Sequence, residues 1–274
     1  MNVGSSKRAG ALLSACAWIV GLGMFFPILW MVLTAFKHER DAFTTPPKFI
    51  FSPTLDQFRA IFDGGLGTAL VNSAWTTIAS TIVVLLLALP CAYALAIRPV
   101  EKWRDVLFFF LSTRMLPVVG AIVPIYVIAR DTSMLDNVWT LVILYTAMNL
   151  PIAVWMLRSF MSEVPGEVLE AGRVDGANLR QEASRIMFPM IAPGVAATAL
   201  ICVIFAWNEF FLAVNLTSVR AQTVPVFLVG FITSEGAFWA RLSAAATLAA
   251  IPVLLAGWIA QRQLVRGLTL GAIK

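Results

Sequence analysis

Apolar residues run along this chain in long unbroken blocks, not in the strict alternation of a half-buried strand or the narrow stripe of a soluble helix. A block crosses a bilayer when it reaches about 20 residues, and six do so, at about residues 10–34, 70–97, 106–128, 138–160, 190–214 and 239–261. Transmembrane strands would read as alternating segments of about ten residues, so the pattern predicts an all-α polytopic membrane protein forming one domain over residues 1–274. Lys7 and Arg8 precede the first block, as they would in a signal peptide. Its apolar run is longer than the roughly 7 to 15 residues of a signal core, and no small-residue cleavage site follows. The block is therefore read as a retained span. Pro90, Pro117, Pro124 and Pro252 fall inside blocks and predict kinks, which membrane helices tolerate where neighbouring groups satisfy the freed carbonyl.

Composition sharpens the reading. Of the 274 residues 59% are apolar and 13% charged, with mean hydropathy +0.84, against about 45–50% and about 25% in soluble domains. Such an excess excludes a secreted disulfide scaffold, a disordered chain and a DNA-binding domain, although the pI of about 9.4 alone would admit the last. Cys16, Cys91 and Cys202 lie far apart in apolar stretches and imply no disulfide or metal framework. His38, the single histidine, stands in a charged loop and reads as a surface residue.

An even number of spans puts both termini on one side, and the positive-inside rule selects the cytoplasm. That orientation gives the cytoplasmic pieces Lys7, Arg8, Arg98, Lys102, Arg104, Arg158, Arg173, Arg180, Arg185, Arg262, Arg266 and Lys274. The outer pieces carry Lys37, Arg40, Lys48, Arg59, Arg130, Arg220 and Arg241, four of them in the first outer loop.

The segment between the fourth and fifth blocks, residues 162–189, carries the most information. Ser162 is placed to cap a helix whose first turn holds Pro165 and Glu167, suited to the positive end of the helix dipole. Asp175-Gly176 predicts the stop. Asn178, with Gln181 three residues on, predicts a capping box for a second short helix, which Pro189 should break before the fifth span. The result is a helix-turn-helix elbow. Its mixture of Glu163, Glu167, Glu170 and Asp175 with Arg173, Arg180 and Arg185 suits a protein partner better than anionic lipid, which would favour a cationic surplus.

Glu170-Ala171-Gly172, three residues, Gly176, nine residues, then Ile186-x-Phe188-Pro189 resembles the EAA loop of ABC importer permeases. Gly172 replaces an alanine and Phe188 a leucine of that pattern, changes that weaken the helix locally or enlarge an apolar contact without disturbing the elbow. Pro46-Pro47-Lys48-Phe49, Asn72-Ser73 and the tail Gln263 to Thr269 resemble the second permease subunit of maltose-type carbohydrate importers. Ser112 to Pro117, Trp207-Asn208-Glu209 and Glu235-Gly236-x-Phe238-Trp239-Ala240 resemble its sorbitol and mannitol branch. The resemblance implies a type I importer permease of six spans in the cytoplasmic membrane, coupled to its ATPase through Glu170, Ala171, Arg173, Asp175 and Gly176. It also implies a heterodimer with a second permease, two copies of an ABC ATPase that uses ATP and Mg, and an extracytoplasmic solute-binding protein. The tail, with Gly267 and Gly271, is expected to extend between the ATPases, the alternative being a frayed terminus.

A Walker A loop needs Gly-Lys followed by Ser or Thr, and none of Lys7, Lys37, Lys48, Lys102 or Lys274 follows a glycine, so ATP hydrolysis is assigned to another subunit. An ion-coupled secondary transporter would place paired carboxylates in the spans, whereas Arg114 and Glu209 are the clear ionisable residues there. An intramembrane enzyme would need a nucleophile with its base, or a metal cluster. Arg114 and Glu209 either pair with each other across the helices or line a translocation path with Asn208, where Tyr145 and Trp207 would meet the C–H faces of a sugar or polyol.

Overall fold

The computed structural model describes residues 3–97, 100–115, 117–234 and 236–270, with side chains for residues 9–261 of these. Arg98, Leu116, Glu235 and residues 271–274 lie outside the described residues, as do the side chains of Lys7, Arg8, Arg262, Arg266 and the rest of the tail. In chain order the helices are α1 (Val3–Ala35), α2 (Glu39–Ala42), α3 (Asp56–Asp63), α4 (Leu66–Ile97), α5 (Trp103–Met115), α6 (Val118–Asp131), α7 (Val138–Ser162), α8 (Gly166–Val174), α9 (Leu179–Gln181), α10 (Phe188–Trp207), α11 (Phe211–Leu216), α12 (Val224–Val229) and α13 (Trp239–Leu270). A π-helical segment, Glu182–Met187, joins α9 to α10, and a two-stranded antiparallel hairpin, β1 (Ile232–Thr233) with β2 (Gly236–Ala237), precedes α13.

Among the described residues five helices are long and apolar enough to span a membrane: Ala9–Ala35, Leu66–Ile97, Val138–Ser162, Leu179–Trp207 and Trp239–Gln261. The third predicted span is not one rod. It is α5 followed by α6, bent by 84°. Pro117, the N-cap of α6, has no N–H with which to continue the hydrogen-bond ladder of α5. Pro90, Pro124 and Pro252 stay within helices.

The fifth span also differs from its predicted limits. It begins at Leu179 because Pro189 does not stop the helix: α9, the π segment and α10 run as one rod. The wider i→i+5 turn already breaks the regular ladder there, and Pro189 sits at the first positions of α10, where a missing N–H is tolerated. The rod ends at Trp207 instead of about residue 214, as Asn208 closes α10 and a separate helix α11 follows. The tail, expected to be extended, is helical through Leu270. One glycine costs a helix only about 1 kcal/mol, and adding residues to an existing helix avoids nucleation.

The chain forms two compact units, residues 1–66 with 228–250 and residues 67–227 with 251–274. In the first, Lys37 is almost fully buried below Trp30, its Nζ 3.9 Å from that ring and donating to the Lys48 carbonyl at 2.8 Å. Burial lowers the Lys37 pKa, with Asp41 opposing. Glu39 accepts hydrogen bonds from the Ala240 and Arg241 backbone N–H groups and so caps the start of α13.

In the second unit α7 packs between α4, α5 and α10. Ala88, Ala92, Ala153, Val154, Leu157, Met187 and Ile191 form a core cluster, and Leu169 of α8 reaches the same cluster. The helices α7 and α10 approach closely because Gly194 has no side chain; a Cβ there would overlap the Phe160 ring. Small residues permit such approaches between membrane helices. Gly194→Ala is expected to destabilise the chain by about 1–3 kcal/mol, the usual cost of overpacking, with recovery in Gly194→Ala/Phe160→Leu. Thermal unfolding in detergent checks this, and an unchanged midpoint for the single variant contradicts the packing argument.

The far end of α4 is fastened through polar groups. The Asp136 carboxylate accepts backbone N–H bonds from Ser218, Val219, Arg220 and Ala221 at 2.8, 3.2, 3.0 and 2.9 Å. Asn72 donates to the Arg220 and Gln222 carbonyls, and Ser73 Oγ accepts from the Val224 N–H. The segment from Thr217 to Val224 is thereby latched to α4 and to the turn before α7.

Candidate functional site

The elbow grows out of α7. Ser162 does not cap α8; it is the last residue of α7, with its Oγ donating back to the Arg158 carbonyl. Pro165 opens α8 without a side-chain cap. The stop falls where Asp175-Gly176 predicts it. Gly176 N–H donates to the Arg173 carbonyl and Ala177 N–H to the Gly172 carbonyl, the paired bonds of a Schellman turn, and Gly176 takes φ +84°. Asn178 and Gln181 then form the predicted capping box, each side chain accepting from the other's backbone N–H.

Glu170, Ala171, Arg173, Asp175 and Gly176 all lie on the exposed side of this elbow, while Leu169 and Met187 anchor its inner side. Gly172 is also more than a weak helix position: a Cβ there would overlap the Cδ1 of Ile186, so the two elbow helices touch through it. Arg173 is committed within the elbow, its Nε and Nη2 donating to Glu182 Oε2 and Oε1 at 2.8 Å each. That hydrogen bonding raises the Arg173 pKa above its ordinary value, against a smaller opposing effect of burial. The Tyr93 hydroxyl of α4 donates to the same carboxylate. Glu182 and Tyr93 were not singled out from the sequence, where they stand 89 residues apart. Neither was Val174, whose side chain is 87% exposed at the tip of the elbow.

At the other end of α10 the five candidate path residues divide. Arg114 is exposed in the last turn of α5, donating to the Met148 carbonyl at 3.4 Å with its guanidinium 4.6 Å from the Phe205 ring. Asn208 is exposed one turn beyond Phe205 and donates to the Ile204 carbonyl. Glu209 caps α11, accepting from the Leu212 and Ala213 N–H groups at 2.8 and 3.2 Å. Tyr145 is fully buried in the cluster of Ala129, Leu141, Ala206 and Leu212. Its hydroxyl is directed at the Glu209 carboxylate without completing a well-formed hydrogen bond. Trp207 is buried as well. Arg114 and Glu209 do not form an ion pair with each other: each has the separate partners just described.

Residues 86–270, which include α7, the elbow, α10 and all of α13, match the family described as binding-protein-dependent transport system inner membrane component. The chain belongs to this family. As a whole the permease is 38% identical over 272 residues to the probable ABC transporter permease protein y4oR of Sinorhizobium fredii, covering 98% of each chain. It is 35% identical to the diacetylchitobiose uptake system permease DasC of Streptomyces coelicolor, over 94% of this chain and 95% of that one. The trehalose transport system permease SugB of Mycobacterium tuberculosis is 31% identical over 93% and 94%. Its fold is that of a chain from a bacterial ABC transporter involved in alginate import, with TM-score 0.76 at 21% identity over 96% of this permease and 99% of that chain. The permease is therefore a multi-pass inner-membrane component of an ABC importer, a transport protein and not an enzyme.

Proposed function

We propose that this permease is the second permease subunit of a carbohydrate importer, carrying a sugar or sugar alcohol of the sorbitol and mannitol kind by alternating access. Its partners in this reading are another permease, two copies of an ATPase that consumes ATP with Mg, and an extracytoplasmic solute-binding protein. The termini and the elbow face the cytoplasm. The observation that carries the coupling half of the proposal is the exposed elbow tip: Glu170, Ala171 and Asp175 stand beside a bare Val174 on a turn fixed by Gly176. An apolar residue ringed by charge is suited to a cleft on a protein partner. Diacetylchitobiose and trehalose, named for two relatives, support a carbohydrate cargo. The polyol reading rests on the sequence resemblance, with another mono- or disaccharide as its alternative.

Purifying the permease from membranes with its neighbours tests the assembly. An ABC ATPase should co-purify, and its absence sinks the reading. Binding measurements on the cognate solute-binding protein with sorbitol, mannitol, trehalose and maltose decide the cargo. Deleting residues 266–274 should lower substrate-stimulated hydrolysis if the end of α13 approaches the ATPases, whereas unchanged stimulation removes the tail from the coupling machinery.

Of the path residues, Arg114 and Asn208 are the candidates to meet the cargo. Glu209 holds α11 and acts from behind, with Tyr145 and Trp207 packed around it. Arg114→Gln should therefore change uptake or substrate range with the complex intact. Glu209→Gln leaves one acceptor oxygen for two backbone N–H groups and should reduce the yield of folded complex. The opposite ranking of the two variants in assembly and uptake assays would overturn this division of labour.

A further inference from the structure

At Tyr93 the second span meets the elbow, and packing there is incomplete. A cavity of about 720 Å³ opens between α4, represented by Leu89, Pro90 and Tyr93, and the fifth span, represented by Ala183, Met187 and Phe188. Beside that gap lies Glu182, only 2% exposed, at the first residue of the π segment. A buried carboxylate is costly unless its oxygens are hydrogen-bonded and its charge is paired. Here both oxygens are used. Arg173 grips them with two parallel bonds from the last turn of α8, and Tyr93 adds a third from α4. Paired bonds of this kind fix direction as well as distance, whereas the apolar contacts of Leu169 and Ile186 constrain the elbow without fixing its rotation.

Resting on the reading that the elbow docks an ATPase, we infer that Glu182 is the positioning residue of coupling. Its carboxylate joins α8, the start of the fifth span and the second span into one moving part. A push at the Gly176 turn enters α8, passes through Arg173 to Glu182, and from there moves α10 directly and α4 through Tyr93. Without the carboxylate the elbow still folds on its capping box and its apolar anchor, and it still offers Val174 and Gly176 to the partner, but its motion is not passed on to α4 across the cavity.

The test uses the complete importer in proteoliposomes, with permease pair, ATPases and loaded binding protein. Glu182→Gln should retain the ATPase and its basal hydrolysis, while stimulation by the loaded binding protein and uptake per ATP both fall by about fivefold or more, the lower end of usual couplings between distant sites. Tyr93→Phe, which leaves the ion pair in place, should show the same split at smaller amplitude. Full stimulation in Glu182→Gln overturns the inference. If Glu182→Gln fails to assemble, Tyr93→Phe decides: the split supports the inference, and either wild-type coupling or a parallel loss of assembly and hydrolysis overturns it. A wild-type permease that holds no ATPase is a different failure, since it removes the docking reading itself.

Discussion

Gly176→Val is expected to leave the permease in the membrane and release its ATPase. Gly176 adopts φ +84° in the turn between α8 and α9. A left-handed conformation costs an ordinary residue about 1–2 kcal/mol, and a β-branched one is a genuine outlier there. Space is not the obstacle, because a Cβ at Gly176 meets nothing within 4 Å. The penalty is one of backbone shape. The Schellman bonds from Gly176 and Ala177 open, Val174 and Asp175 turn to a new direction, and the tip no longer presents the surface proposed to meet the ATPase. The turn is exposed and makes no apolar contact of its own with the core, although the fifth span starts three residues later at Leu179, so insertion and yield should match wild type while ATPase retention drops about tenfold, equivalent to roughly 1.4 kcal/mol of lost docking. Quantifying the co-purified ATPase measures this, and a valine variant that keeps both ATPase and transport places the contact elsewhere.

The second large effect belongs to Asp136. Burial opposes its charge, but the four N–H donors from Arg220, Ala221, Ser218 and Val219 win and hold the pKa at about 2. A carboxyl whose pKa is lowered in the folded state contributes stability above its unfolded value, near 3.8, and loses it as pH falls through the folded value. The shift corresponds to about 2 kcal/mol before solvent screening and about 1 kcal/mol after it, because the site is only half-buried. Asp136→Asn has one acceptor oxygen for four donors and should cost about 1–3 kcal/mol at neutral pH. The difference between wild type and variant should shrink between about pH 4 and pH 2. Thermal unfolding across that range reads it, and a difference that stays constant with pH would mean that the carboxylate charge does not hold the latch.

Local chemistry made parts of the elbow legible. Asp175-Gly176 and the Asn178–Gln181 pair act over three or four residues, and the structure places the turn and the capping box where those residues predict them. What escaped the sequence depends on partners distant along the chain or on competition between local rules. Ser162 is a good cap by type, yet it lies one helical turn above Arg158 and continues α7 instead. Pro189 is a good breaker, but the π segment before it removes the bond that a proline would have broken. The end of the fifth span was hidden because residues 210–214 are as apolar as those before Asn208, and the Glu209 side chain folding over the α11 N–H groups reveals the interruption. Nothing local singles out Glu182, because the partners of its buried carboxylate are Tyr93, 89 residues away, and Arg173. The substitution of Gly172 in the EAA pattern was visible, but its close contact with Ile186 was not.

The fifth span is a continuous 29-residue helix, about 43 Å at 1.5 Å per residue, with the Gly176 turn at one end and Asn208 at the other. A rod of that length pivoting near its middle behaves as a seesaw. Tilting it by about 15°, the scale of known subunit rotations, carries each tip about 5–6 Å in opposite senses, close to one helical pitch. An inward pull on Asn178 would thus swing Asn208 outward by a distance comparable to the width of a small sugar, with neither tip having to change its own conformation.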